Sequence, residues 1–234
     1  MKRLCTICAR GGSKGVPNKN LMTIAGMPLI AHSVKQAIAS GLFDAIACSS
    51  DSPALLEAAI AAGATLAIRR PDELATDTAA KLPVLHHALT TAERELGQRY
   101  VTYVDLDATS PLRLPDDIAG AVRLLEGTGV PSVITAAPSR RSPYFNLVEL
   151  TGEGYVRLSK PLPENVVRRQ DAPSTFDMNA SIYVWNAEVF REDPKVFYPT
   201  TMLFEMPEER SIDIDSPLDL KIVRFLLEQK EPNP

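Results

Sequence analysis

Ala9-Arg10-Gly11-Gly12-Ser13-Lys14-Gly15-Val16-Pro17-Asn18-Lys19-Asn20 follows directly on a short apolar run, Leu4 to Cys8. Small apolar side chains without polar alternation read as a buried parallel strand, so the stretch leaves the carboxyl edge of a sheet. Gly11, Gly12 and Gly15 permit positive φ and close approach of the backbone, which lets successive N–H groups converge on an anion. Arg10, Lys14 and Lys19 add positive charge, and together these features predict a loop that holds phosphates. Neither G-x-x-x-x-G-K-[ST] nor G-x-G-x-x-G can be laid over it. The alternative is a glycine-rich strand-to-helix turn whose cations are simply solvated.

Working outward, helical spacing of Leu29, Ile30, Val34, Ala37 and Ile38 predicts a helix over Pro28 to Ser40, stopped by Gly41. Ala45 to Ser49 reads as a strand, Ser50-Asp51-Ser52-Pro53 as the cap of a helix over Ala54 to Ala62, and Thr65 to Arg69 as a strand. Leu82 to Leu96 follows as helix, Tyr100 to Leu106 as strand, Asp116 to Leu125 as helix and Ser132 to Ala136 as strand. This alternation predicts an α/β fold around a mostly parallel sheet. From Pro138 to Pro173 the composition turns to Ser, Arg, Pro, Tyr and Lys, with strand-like pieces around Phe145 to Leu150. Residues 138–175 therefore read as an excursion from a core formed by 1–137 and 176–234. Met178 to Trp185 resumes as strand, Ala187 to Arg191 as a short helix and Met202 to Met206 as an edge strand. Ser211 to Asp215 reads as an apolar strand, and Ser216-Pro217 caps a last helix over Leu218 to Glu228.

The 234 residues are enough for a substantial core, and a formal charge of −4 argues against a general nucleic-acid binder. No apolar run approaches the roughly 20 residues that span a bilayer, and the N-terminus lacks a signal-peptide pattern, so a cytoplasmic location without membrane attachment is expected. Three cysteines make no disulfide framework, and Cys5 and Cys8, at i and i+3 on a strand, point to opposite faces. His32, His86 and His87 show no metal or triad spacing.

Asp213 and Asp215, two apart, place both carboxylates on one face, which suits Mg²⁺ with its oxygen ligands; Asp107 would join them if it sits on a neighbouring strand end. Asp215 has an alternative duty as a helix cap before Pro217. Arg69-Arg70-Pro71 with Asp77-Thr78 forms a second polar region beyond a strand end. Thr109 to Arg113 offers hydroxyls and N–H groups to a substrate, or serves as turn chemistry. Arg168-Arg169-Gln170 precedes Met178 to Tyr183, where a bidentate Arg would receive a carboxylate.

Taken in order, ARGGSKGVPNKN, RRPDELATDTA, LDATSPLR, RRQ with MNASIY, and SIDIDSPLDL resemble the motifs of the CMP-acylneuraminate synthetases. The resemblance implies a Rossmann-like α/β/α nucleotidyltransferase with a dimerisation arm, working as a homodimer on CTP and a nine-carbon sugar acid with Mg²⁺. The anomeric hydroxyl of the sugar acid would attack the α-phosphorus of CTP and release pyrophosphate. By the same resemblance Arg10, Gly11, Ser13 and Lys19 handle the triphosphate, Asn20 contacts cytosine, Arg70 and Ala79 make further nucleotide contacts, and Asp213 and Asp215 ligate metal. Arg169, Asn179 and Tyr183 match sugar-acid contacts, and Phe197 and Tyr198 match an aromatic pair that reaches a partner's sugar. Asp107, Asp177 and Lys81 depart from the sialic-acid pattern, where Gln, Arg and a small hydroxyl residue stand. They point to a different sugar, for example of the legionaminic-acid type. Synthetases for 3-deoxy-manno-octulosonic acid share the reaction and are the nearest rival; a noncatalytic homologue and a nucleotidyltransferase for a neutral sugar phosphate are the others.

Overall fold

The computed structural model describes residues 1–12, 15–76, 78–162 and 172–229. The first apolar run forms β1 (Arg3–Cys8), buried along its middle as a central strand must be. A two-stranded ribbon, β2 (Thr23–Ile24) and β3 (Met27–Pro28), leads into α1 (Leu29–Ser40), which ends at Gly41 with φ 64°. There follow β4 (Ala45–Ser50), α2 (Pro53–Ala61), β5 (Leu66–Arg69), α3 (Lys81–Leu96), β6 (Thr102–Leu106), α4 (Pro115–Thr128) and β7 (Ser132–Pro138). A separate antiparallel hairpin, β8 (Val148–Leu150) and β9 (Val156–Leu158), precedes β10 (Phe176–Asn186), α5 (Ala187–Glu192), β11 (Met202–Glu205) and α6 (Pro217–Glu228).

Seven strands make one sheet in the order β11-β7-β10-β6-β1-β4-β5, in which β10 alone runs antiparallel to its neighbours. The mostly parallel sheet expected from the alternation is therefore present, with helices on both faces as the family resemblance implies. One face carries a core in which Ile7, Val34, Leu55, Leu106, Ile118 and Val122 pack under α1, α2 and α4. The other buries Leu4, Leu85, Leu89, Tyr103, Trp185 and Phe190 under α3 and α5. A third, smaller cluster joins Val16, Ile24, Leu29, Leu112, Ile214 and Val223.

Two expectations are corrected. Ser211 to Asp215 is not a strand of the sheet: Ile214 is fully buried in the third cluster, and its N–H donates to Thr109 O at 3.0 Å. The apolar alternation is satisfied by packing against α6 instead of by pairing. Gly11 and Gly12 do not use the left-handed region; Gly11 serves close approach, since a Cβ there would lie 3.1 Å from Ser52 Cβ. Within residues 138–175, β8 falls inside the strand-like region read around Phe145 to Leu150, while β9 was not anticipated.

An aromatic cluster fills the second core between sheet and α5: Phe190 lies 4.6 Å from Trp185 and 5.3 Å from Tyr103 between ring centroids. Phe190→Ala is expected to cost about 3–5 kcal/mol. Urea unfolding followed by the fluorescence of Trp185, the chain's one tryptophan, measures it; a loss below about 1 kcal/mol would show that the site collapses without cost.

Candidate active site

The parallel strands β1, β4, β5 and β6 all end at one edge, and the sequence-predicted polar segments converge there. The loop after β1 is tied down by Gly11 N donating to Asp51 Oδ1 at 2.8 Å. Asp51 lies beyond β4, where the sequence pattern suggests only part of a helix cap; Ser52, the cap residue of α2, makes no side-chain cap bond. Asn18, at φ 53°, begins a 3-10 turn over Lys19–Leu21. That turn points Lys19 Nζ at the Ile214 carbonyl and places it 3.2 Å from Asp215 Oδ1. Gly15 is required on the other side, because a Cβ there would run into the Asp215 carbonyl oxygen. The two ends of the chain thus meet at the loop.

Asp215 is not the helix cap. Ser216 takes that duty, its Oγ accepting from Asp219 N at 3.3 Å while Asp219 Oδ2 accepts from Ser216 N at 2.7 Å. Asp213 is half-buried, with Oδ1 buried and without a hydrogen-bond partner. Burial and the Asp107 and Asp215 carboxylates push its carboxyl up to about 6, against the Lys19 charge.

Asp107 follows β6. Its Oδ1 accepts from Thr109 N at 3.1 Å and Thr109 Oγ1 at 2.9 Å, and its Oδ2 lies 3.2 Å from Lys81 Nζ. Burial would raise the Asp107 carboxyl, but Lys81 and the Thr109 donors outweigh it and hold the group below the usual carboxylate range. Lys81, the first residue of α3, also stands 3.4 Å from the buried Asp105 and 4.3 Å from the centroid of Tyr183. Burial opposes its charge, yet the two carboxylates raise the ammonium overall.

Arg113, fully buried, organises the edge from below. Its Nε donates to Gln36 Oε1 at 2.9 Å, Nη2 to Ser33 Oγ at 2.6 Å and to the Asp107 carbonyl, and Nη1 to the Ser181 carbonyl. Burial lowers the guanidinium to about 10, and it keeps its proton at neutral pH. The sequence of its segment suits substrate binding and turn chemistry alike, and its burial carries no local signal.

The remaining candidates fall as follows. Asn20 is buried, donating from Nδ2 to Arg10 O at 3.2 Å and leaving Oδ1 unpartnered. Arg70 is buried under the loop, donating to Ser49 O at 2.9 Å, with Nε unpartnered. Ala79 is half-buried in the segment before α3. Asn179 lines a cleft of about 650 Å³ with Asp177, Asp213 and Asp215, but its amide is engaged by Thr135, Ser181 and Ser211. Tyr183 is buried, stacked on Trp185 at 5.4 Å, and its ring supports Lys81. Asp177 is exposed and accepts from Ser139 Oγ at 2.6 Å. Phe197 and Tyr198 lie near the opposite sheet edge, beside the start of β7; Phe197 is 63% exposed, and Tyr198 OH donates to Asp193 O at 2.7 Å. Ser13 and Arg169 lie outside the described residues.

The family model described as cytidylyltransferase matches residues 4–219. The chain belongs to the cytidylyltransferase family. The "Post-translational flagellin modification protein B" of Campylobacter coli is 44% identical over 227 residues, covering 97% of this chain and 95% of the relative. The "CMP-N,N'-diacetyllegionaminic acid synthase" of Campylobacter jejuni is 44% identical over 231 residues, covering 99% and 97%. Among solved structures, a CMP:2-keto-3-deoxy-manno-octonic acid synthetase complexed with CTP superposes with a TM-score of 0.71 at 18% identity, covering 99% of this chain and all of that one. This likeness carries the fold of the cytidylyltransferase.

The raised Asp213 carboxyl has a stability consequence. In the folded chain it holds its proton up to about 6, whereas in the unfolded chain it ionises near 3.8, so folding is disfavoured progressively as pH rises between those values. In chelator-treated buffer Asp213→Asn is expected to stabilise the cytidylyltransferase by about 1–3 kcal/mol at pH 7.5, with the gain shrinking towards pH 4.5. Urea unfolding at both pH values measures it, and a gain independent of pH would contradict the assignment.

Proposed function

We propose that this cytidylyltransferase transfers CMP from CTP to the anomeric hydroxyl of a nine-carbon sugar acid of the legionaminic-acid type. The observation that carries the reading is the meeting of Lys19 with Asp215 beside Asp213, which joins the cationic loop after β1 to the acidic segment before α6. The 44% identical relative named for CMP-N,N'-diacetyllegionaminic acid supports the sugar class.

In this reading Arg10, Gly11, Ser13 and Lys19 receive the triphosphate, and the Lys19 ammonium steadies charge that develops on the transferring phosphoryl group. Asn20, with its buried Oδ1 lacking a donor, reads cytosine, and Arg70 and Ala79 line the nucleotide. Asp213 and Asp215 would hold Mg²⁺: the donors are all oxygen, and Asp213 Oδ1 is buried without a partner. Among the described residues they belong to no cluster of three metal-ligating side chains, so phosphate oxygens and water would complete the shell. A bound Mg²⁺ supplies neutralisation of triphosphate charge.

Arg169 receives the sugar carboxylate, and Asp107, Asn179 and Tyr183 border the sugar. The hydroxyl proton is not assigned to Asp107, which Thr109 and Lys81 hold ionised below the usual carboxylate range, where it is a weak base. The hairpin β8–β9 exposes Val148, Leu150, Tyr155 and Val156, which suits an arm in a homodimer that presents Phe197 and Tyr198 to a partner's sugar. No helix among the described residues is long and apolar enough to cross a membrane, and we place the enzyme in the cytoplasm.

Pyrophosphate release with CTP and Mg²⁺ tests the reading against legionaminic, N-acetylneuraminic and 3-deoxy-manno-octulosonic acids. Preferred turnover of the legionaminic acid is expected, and Lys19→Ala should lower kcat about 10²-fold or more. Preference for N-acetylneuraminic acid would overturn the sugar assignment, and turnover of the eight-carbon acid alone would move the enzyme to the rival class.

A further inference from the structure

Asp107 is a quarter exposed at the site edge, and its acceptor capacity can be counted. A carboxylate offers about four acceptor positions. Thr109 N and Oγ1 occupy Oδ1, and Lys81 Nζ occupies one position of Oδ2. One position on Oδ2 is left. Lys81 is itself fixed, with its ammonium between Asp107 and the buried Asp105 and over the ring of Tyr183, which stacks on Trp185 at an interplanar angle of 4°. At 37% side-chain exposure the lysine reaches the open side of the site, but two carboxylates surround its one charge, so it is poorly suited to receive another anion.

We infer that Lys81 is a positioning residue for sugar-acid selection: it holds Asp107 so that the remaining Oδ2 position accepts a hydrogen bond from an O–H or N–H of the sugar acid. The unit Trp185, Tyr183, Lys81 and Asp107 thereby selects a hydrogen-bond donor on the substrate, and Lys81 acts only through Asp107. This inference rests on the proposed reaction. A site built to accept one donor discriminates against analogues that lack it, because the acceptor is then left unpaired in a partly desolvated position.

The test is a double-mutant cycle on the full-length enzyme with Lys81→Met, Asp107→Asn and the double variant, reading KM for the sugar acid and for CTP separately. Each single change is expected to raise the sugar-acid KM about tenfold, with the CTP KM within about twofold, and the double variant to be no worse than the poorer single. Lys81→Arg, which keeps charge and donor, should recover most of the wild-type sugar-acid KM even if Lys81→Met folds poorly. Multiplicative effects in the double variant, or a CTP KM that rises as much as that of the sugar acid, would overturn the inference alone. Absence of wild-type turnover on every nine-carbon acid would overturn the proposed function and the inference with it.

Discussion

A fully buried guanidinium permits few arrangements around it, and Arg113 imposes that constraint on the whole site edge. Its donors must all be met inside the protein, and they are met by Gln36 and Ser33 of α1, by the carbonyl after β6 and by the carbonyl of Ser181 in β10. Losing one partner of such a buried charged network costs about 3–5 kcal/mol, since a charge or several acceptors are stranded. The same bonds stabilise an irregularity. The register of β10 against β7 shifts between Met178 and Tyr183, and Ala180 adopts φ 52°, a conformation that residues with a Cβ rarely take. Ser181, directly after it, is held at both backbone groups, its N–H donating to Asn179 Oδ1 and its carbonyl accepting from Arg113, so local strain at the cleft is maintained by hydrogen bonds beneath.

The upper side of that edge is dominated by acids. Asp105, Asp107, Asp213 and Asp215 lie together with Lys81 and Lys19 among them. Both proposed substrates are anions, so the site demands cations from the loop and from the medium. The carboxyl that is least satisfied, Asp213, is also the one whose ionisation burdens the fold. Sites kept for chemistry commonly sacrifice stability in this way. Asp107 shows the opposite treatment: it is equally enclosed, but Thr109 and Lys81 satisfy it, and it stays ionised without being a ready proton acceptor.

How much of this was legible in sequence depended on whether the signal was local. The alternation from β1 to β7 could be read because buried parallel strands are short apolar runs and helices repeat near 3.6 residues. The cationic loop and the acidic pair were visible for the same reason, being contiguous motifs. Ser211 to Asp215 misled because its alternation of Ile and Asp is what a strand shows, whereas Ile214 fills a pocket beside α6. Arg113, Asp51 and the Lys81–Asp107 contact were not legible, since each depends on residues brought together across 26 positions or more. Two departures noted separately, Lys81 and Asp107, prove to be one ion pair.

The third cluster explains why loop and acidic segment remain in register. Val16, from the loop, and Ile214, from between the two carboxylates, are buried in the same small core with Leu112 and Val223. The loop is therefore braced against the segment that it faces, and only indirectly against the large sheet. Geometry between Lys19 and Asp215 then depends on packing beneath α6 as well as on the loop and the acidic segment themselves. A displacement of about 1 Å in a reacting constellation costs on the order of 10²-fold in rate. An apolar side chain such as Val223, without any polar contact to make, can accordingly govern how well the cations and carboxylates above it are matched.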